Sequence, residues 1–171
     1  MQPKRFVHAA LVAVVACVTV VSAQSRRVLA DLGKLDPPLH AAPLERTGER
    51  SAVFDDAMRA YDAKQYGRAA DVLRRFVTVE PDDPAGNFFL AASLMMTDEV
   101  GEAEDRLGVV IGAGATTFEY PARFVRAKAW IRLGKLDAAD GELALVAAST
   151  DAYARSAAEL LPKVRAQKKR E

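Results

Sequence analysis

Residues 50–111 read RSAVFDDAMRAYDAKQYGRAADVLRRFVTVEPDDPAGNFFLAASLMMTDEVGEAEDRLGVVI, and the stretch says nearly the same thing twice, 34 residues apart. Phe54 is answered by Phe88, Tyr66 by Val100, Ala69 by Ala103 and Leu73 by Leu107. A third copy spans Tyr120 to Ala148, with Leu136, Ala139 and Leu143 in the places of Tyr66, Ala69 and Leu73. It arrives two residues late, after the glycine-bearing Gly112-Ala113-Gly114. Self-similarity at this period implies a stacked array of helical hairpins.

Apolar spacing within each copy supports that reading. In the first, Val53, Phe54, Ala57, Ala60 and Tyr61 give a helix over Ala52–Ala63, Lys64-Gln65 turns the chain, and Ala69, Val72, Leu73, Phe76 and Val77 face inward on a return helix over Gly67–Val79. The second runs out over Pro84–Met96 and back over Val100–Ile111. Asp83 is placed to cap its first helix, and Pro84 suits the first helical position because its φ is preset and its N–H is absent. Asp98, Glu99 and Glu102 set negative charge at the start of the return helix. Thr116-Thr117-Phe118-Glu119 has the form of a capping box opening the third hairpin, which goes out over Ala122–Leu133, turns at Gly134-Lys135 and returns over Leu136–Ala148. Ser149-Thr150-Asp151 then introduces a last helix over Ala152–Gln167, striped by Tyr153, Ala157, Leu160 and Val164 and interrupted at Pro162, where a kink is expected. A terminal helix of this kind covers the open end of a stack.

Bulk composition narrows the chemistry. The 171 residues suffice for one domain; half are apolar and few are aromatic, which suits helices packed through small side chains. Lys and Arg total 24 against 23 Asp and Glu, so no net field points to nucleic acid. Cys17 is the only cysteine, and His8 and His40, the only histidines, fall in the leader and the linker. A disulfide framework, a cysteine metal site and histidine acid–base catalysis are therefore absent from the repeats. No serine or cysteine has a recognisable nucleophile setting, the acidic clusters lack calcium-loop spacing, and Gly112-x-Gly114 is too short for a phosphate loop. We expect no enzyme, no cofactor and no metal. The basic tail Lys163, Arg165, Lys168, Lys169 and Arg170 reads as a solvated helix end favoured by the dipole.

Residues 1–23 have the anatomy of an export signal: Lys4 and Arg5 precede an apolar run from Phe6 to Ala23, with Val21-Ser22-Ala23 as a small-residue cleavage point. Three forms stay open. The leader is cut; or Cys17, in the lipobox-like Val14-Val15-Ala16-Cys17, is lipidated; or the run is retained as an anchor, being just long enough to span a bilayer. All three place the rest of the chain outside the cytoplasm, in the periplasm or on the outer face of a membrane. Residues 24–49, with Pro37-Pro38, Pro43 and Gly48, read as a linker in which Ser25–Leu35 can form a short helix stopped by Gly33. Its string Leu32-Gly33-Lys34-Leu35-Asp36 recurs as Leu133-Gly134-Lys135-Leu136-Asp137, out of register with the repeat, which is the mark of chance or of a decayed hairpin.

The repeats resemble the tetratricopeptide repeat (TPR). Its small first-helix residues match Ala57, Ala91 and Ala127; the large residue before the turn is Ala60, Leu94 or Trp130; the residue opening the return helix is Tyr66, Val100 or Leu136; the tight-contact alanines are Ala69, Ala103 and Ala139; and Pro81 is the closing proline. Gly134 keeps the family's turn glycine, where the other copies have Lys64 and Asp98. The resemblance implies an all-α solenoid of three hairpins (50–83, 84–119, 120–149) with a capping helix at 150–168. It also implies a concave face, lined by the first helices, that holds a peptide or helix of a partner protein. Carried over by position, that groove comprises Phe54, Met58 and Tyr61, then Phe88, Ala92 and Met95, then Phe124, Lys128 and Arg132. Aromatics there serve as anchors and methionines adapt to varied apolar shapes, while Lys128 and Arg132 bias one end toward acidic groups. The alternative is that these side chains pack inside the array, or beneath the final helix or the Pro-rich linker. The family's carboxylate clamp does not carry over, because Phe54 and Phe88 stand where it needs polar donors. The expected role is an interaction scaffold of the cell envelope; the competing one is a lipidated or anchored accessory subunit of an envelope complex.

Overall fold

Three turns make the hairpins, and each is built the same way. Lys64, Asp98 and Gly134 take left-handed φ values of 58°, 71° and 74°. The following amide then reaches back to the carbonyl of the residue before the turn: Gln65 N–H to Ala60 at 2.8 Å, Glu99 N–H to Leu94 at 2.9 Å, Lys135 N–H to Trp130 at 2.8 Å. This is the Schellman closure, which satisfies a carbonyl the helix end would otherwise leave unpaired. The first bonds of the return helices repeat as well, with Ala69, Ala103 and Ala139 donating to Gln65, Glu99 and Lys135.

The computed structural model describes residues 24–39, 49–114 and 116–170. Residues 1–23, with Cys17 and the leader's cleavage point, and His40 lie outside them. Helix α1 is described over 24–32; α2 is Glu49–Asp62, α3 Tyr66–Val79, α4 Pro84–Met96, α5 Val100–Gly112, α6 Glu119–Arg132, α7 Leu136–Ala147 and α8 Ala154–Lys168. From α2 onward each helix packs on the next, and α4 also touches α6. The fold is all-α and solenoid-like, as the repeat requires, with no strand among the described residues.

The helices approach through alanine. Ala57, Ala91 and Ala127 on the outgoing helices, and Ala69, Ala103 and Ala139 on the returning ones, are all completely buried. Larger residues fill the spaces beside them. Leu73, Leu107 and Leu143 occupy one equivalent place in the three copies and are fully buried, as are Leu90, Leu94 and Ile131. Polar ties then lock helix to helix, within and between repeats. Arg74 of α3 grips Glu102 of α5 at 2.8 Å and also pairs with Glu99. Glu104 of α5 accepts from Trp130 of α6 at 2.7 Å and pairs with Lys135 at 2.6 Å. Buried Glu142 of α7 holds Arg123 and Arg126 of α6 at 3.1 and 2.9 Å. Asp140 of α7 holds Arg165 and Lys168 of α8. So the charges at the start of α5 bridge repeats rather than merely favouring a helix dipole, and part of the basic tail is tied down.

Helix starts vary. Asp83 caps α4 as expected, its carboxylate accepting from Gly86 N–H at 2.6 Å with Pro84 in the first turn. The capping box before α6 does not form. Thr116 Oγ1 accepts from Phe118 N–H at 3.3 Å, and Glu119 turns along its own helix to Arg123. The expected Ser149–Asp151 cap is a turn instead: Asp151 accepts from Tyr153 N–H, and α8 begins at Ala154 with no side-chain cap. That helix runs unbroken through Pro162.

Two outcomes follow for urea unfolding. Ala69→Leu and Ala103→Leu overpack a helix crossing and cost roughly 1–3 kcal/mol each, whereas Ala138→Leu, on an exposed site of α7, changes little; an unmoved midpoint in both crossing variants contradicts the register. Lys64→Gly removes a left-handed non-glycine residue and stabilises by about 0.5–1 kcal/mol, since the relieved strain exceeds the added chain entropy.

Candidate partner-binding trough

Outgoing helices α2, α4 and α6 carry the nine groove residues expected from sequence, and the side of these helices that bears them is the trough. Phe54, Met58, Tyr61, Phe88, Ala92 and Met95 share one buried cluster and Phe124 lies in a second, so the structure does not leave them bare. Phe54, Met58, Tyr61, Phe88, Ala92, Met95 and Phe124 are all buried, none more than 5% exposed. Helix α4 shows why: its residues are buried without a break from Ala85 to Met95, which needs cover on every side.

Part of the cover is the array itself. Phe54 packs on Phe76 at 5.4 Å between ring centroids, and Phe88 lies between Phe89 and Phe118, at 5.4 and 5.1 Å. Phe118 belongs to the loop entering α6, so the lengthened second-to-third junction folds back over the trough. Phe124 stacks on Tyr153, just before α8, at 4.9 Å.

The rest of the cover is residues 24–39. Leu29 joins the cluster of α6, α7 and α8 that includes Phe124, Ile131 and Leu160. Leu35 joins the cluster built by α2 to α6 that holds Phe54, Met58, Tyr61, Phe88 and Met95. The segment therefore spans the trough from the last repeat to the first, against the order of the repeats. Two side chains hold its backbone. Lys128 Nζ donates to the carbonyl of Lys34, and the Tyr61 hydroxyl donates to the carbonyl of Pro38 at 3.0 Å. Burial pushes the Tyr61 phenol well above its ordinary range and lowers the Lys128 ammonium, which also sits over the Phe124 ring at 5.3 Å. Desolvating a lysine is costly unless its protons find acceptors, and the Lys34 carbonyl is one.

Gly33 marks the closest approach. A Cβ there would lie 2.3 Å from Arg132 Cγ and 2.8 Å from the Lys128 carbonyl, so only glycine lets the segment cross α6 at this height. The repeated string thus has two different uses. Gly134 needs its left-handed φ, while Gly33 adopts no such conformation and is required for space. Arg132 does not face a ligand: it donates to the Met95 carbonyl at 2.8 Å and pairs with Asp98, tying the third repeat to the second.

Between the segment, α6 and α8 lies a cavity of about 510 Å³, lined among others by Asp31, Asp36 and Glu159 and by Lys34, Lys128 and Lys163. On the first repeat, Val53 and Val79 stand exposed among the described residues, beside Arg75 and Glu80. Among the described residues no cluster of three or more His, Cys, Asp or Glu is arranged to hold a metal, and no helix is long and apolar enough to cross a membrane.

Removing the phenolic hydroxyl with Tyr61→Phe strands the buried Pro38 carbonyl at a cost of about 1 kcal/mol. Tryptic cleavage after Lys34 should then speed up roughly five-fold while the melting of α2–α8 stays unchanged; an unaltered cleavage rate would show that this bond does not hold the segment.

No protein-family model matches the sequence, and no curated protein does. Solved structures do match the fold. The type III secretion chaperone SycD of Yersinia enterocolitica, in complex with a peptide of the translocator YopD, is 16% identical over 72% of this chain and 97% of its own, with a TM-score of 0.64. PcrH, in complex with the chaperone-binding region of PopD, is 18% identical over 75% of this chain and 98% of its own, at 0.60. The first TPR of Spaghetti (RPAP3), bound to an HSP90 peptide, is 16% identical over 68% and 90%, at 0.60. Equivalent alanines at every crossing, identical turns and these neighbours together give one conclusion: the chain has the tetratricopeptide-type helical-repeat fold.

Proposed function

We propose that this protein is a protein–protein interaction scaffold of the cell envelope, holding a peptide or helical segment of a partner along the trough of α2, α4 and α6. One observation carries the reading. The trough already grips a segment of chain, with apolar sites for Leu29 and Leu35 and two side-chain donors aimed at main-chain carbonyls. Carbonyl contacts are indifferent to side-chain identity, so the same donors serve any segment that places leucine-like anchors correctly. SycD, PcrH and RPAP3, which share the fold, were each captured with a peptide or binding region of another protein. Location in the envelope rests on the basic start, apolar run and small-residue cut site of residues 1–23.

Cross-linking capture from envelope fractions tests this, using the tagged full chain with Gly33→Val, whose side chain collides with α6 and keeps residues 24–39 from competing for the trough, and the same chain carrying in addition Lys128→Glu or Leu145→Ser, the last on an exposed site of α7. A carboxylate at 128 repels carbonyls along the trough. A true trough partner should therefore be recovered at least about five-fold less with Lys128→Glu, and at the parent chain's yield with Leu145→Ser. Equal yields from all three chains would remove the trough as the binding surface.

A further inference from the structure

The occupant of the trough is tethered. Residues 24–39 join α2 only through residues 40–48, so the segment meets its own site at an effective concentration in the millimolar range. Its attachment is nevertheless slight. The described part of α1 is mostly exposed on its outer side, and Leu39 at the far end is 89% exposed. Among the described residues the hold comes from Leu29, Leu32, Leu35 and the buried Pro38, the space for Gly33, two hydrogen bonds to carbonyls and the charge of Asp36 near Lys128. By contrast the repeats close on themselves through alanine crossings and interhelical ion pairs that do not involve the segment. A weakly held piece of chain on a separately braced surface is a competitor rather than a wall.

We propose that residues 24–39 act as an intramolecular gate, occupying the trough at rest and leaving it when an outside segment takes the same leucine sites and carbonyl donors. This rests on the reading of the trough as the partner site and adds its regulation. A partner must outbid the tethered segment, and its binding frees residues 24–39, directly beside the apolar run of residues 6–23, for other contacts. Gly33 is the control point. Any side chain there collides with the α6 backbone, so its replacement opens the trough while leaving the sequence of the trough residues unchanged.

The test uses a fluorescein-labelled peptide of residues 24–39, QSRRVLADLGKLDPPL, and fluorescence anisotropy with the full-length chain. Wild type should bind it ~100-fold more weakly than the Gly33→Val chain, the factor expected for a tethered competitor at about 1 mM effective concentration with an affinity of about 10 μM. A peptide that itself carries Gly33→Val should bind neither. Equal binding to both chains, or no binding to a Gly33→Val chain that keeps its helicity, overturns the gate. Should Gly33→Val unfold, a Leu29→Ser, Leu35→Ser chain replaces it, and loss of the repeats there too overturns the gate by making the segment part of the core. Peptide binding on release, combined with no trough-dependent partner in the capture experiment, upholds the gate and removes the partner reading alone.

Discussion

The whole structure depends on how closely two helices can approach. At each crossing one alanine from the outgoing helix and one from the returning helix are sealed completely, in all three repeats. A larger residue would push the axes apart and tilt every later helix, because in a stack each repeat is positioned only by its neighbours. From that constraint follow the rows of leucine that fill beside the alanines, the identical left-handed turns and the alignment of α2, α4 and α6 along one side.

What was legible in the sequence was whatever repeats. The 34-residue echo located the hairpins, and the alanine positions carried over from it without a shift. Asp83 and Pro84 were legible because their roles are local. The cap at Thr116 failed for a tertiary reason. Phe118 is drawn onto Phe88 and Phe89, so the loop cannot place Thr116 as the cap, and Glu119 finds Arg123 instead. The interrepeat ion pair of Arg74 with Glu102 was also invisible, since its separation of 28 residues matches neither a helix turn nor the repeat period.

The trough was legible as a set of positions but not as an environment. Register alone put Tyr61, Met95 and Lys128 on one side; nothing in it said that residues 24–39 would lie over them. That segment does not share the 34-residue period of the repeats, and its prolines read as a spacer. A signal was nevertheless present, in Leu29, Leu32 and Leu35 at three-residue spacing around Gly33, which is more apolar order than a solvated linker needs. Arg132 shows the opposite error. As a groove cation it invited an acidic ligand, yet its guanidinium is committed to Met95 and Asp98.

The central claim is that a braced stack holds a detachable piece of its own chain. Native-state hydrogen exchange on the full-length protein across sub-denaturing urea addresses it most directly. Amides of residues 26–35 should exchange through a local opening, well before those of Leu90, Ala91 and Leu94 in α4 and without loss of protection there. Exchange of both groups at one rate, with one dependence on urea, would show that segment and repeats open together, and would contradict the account.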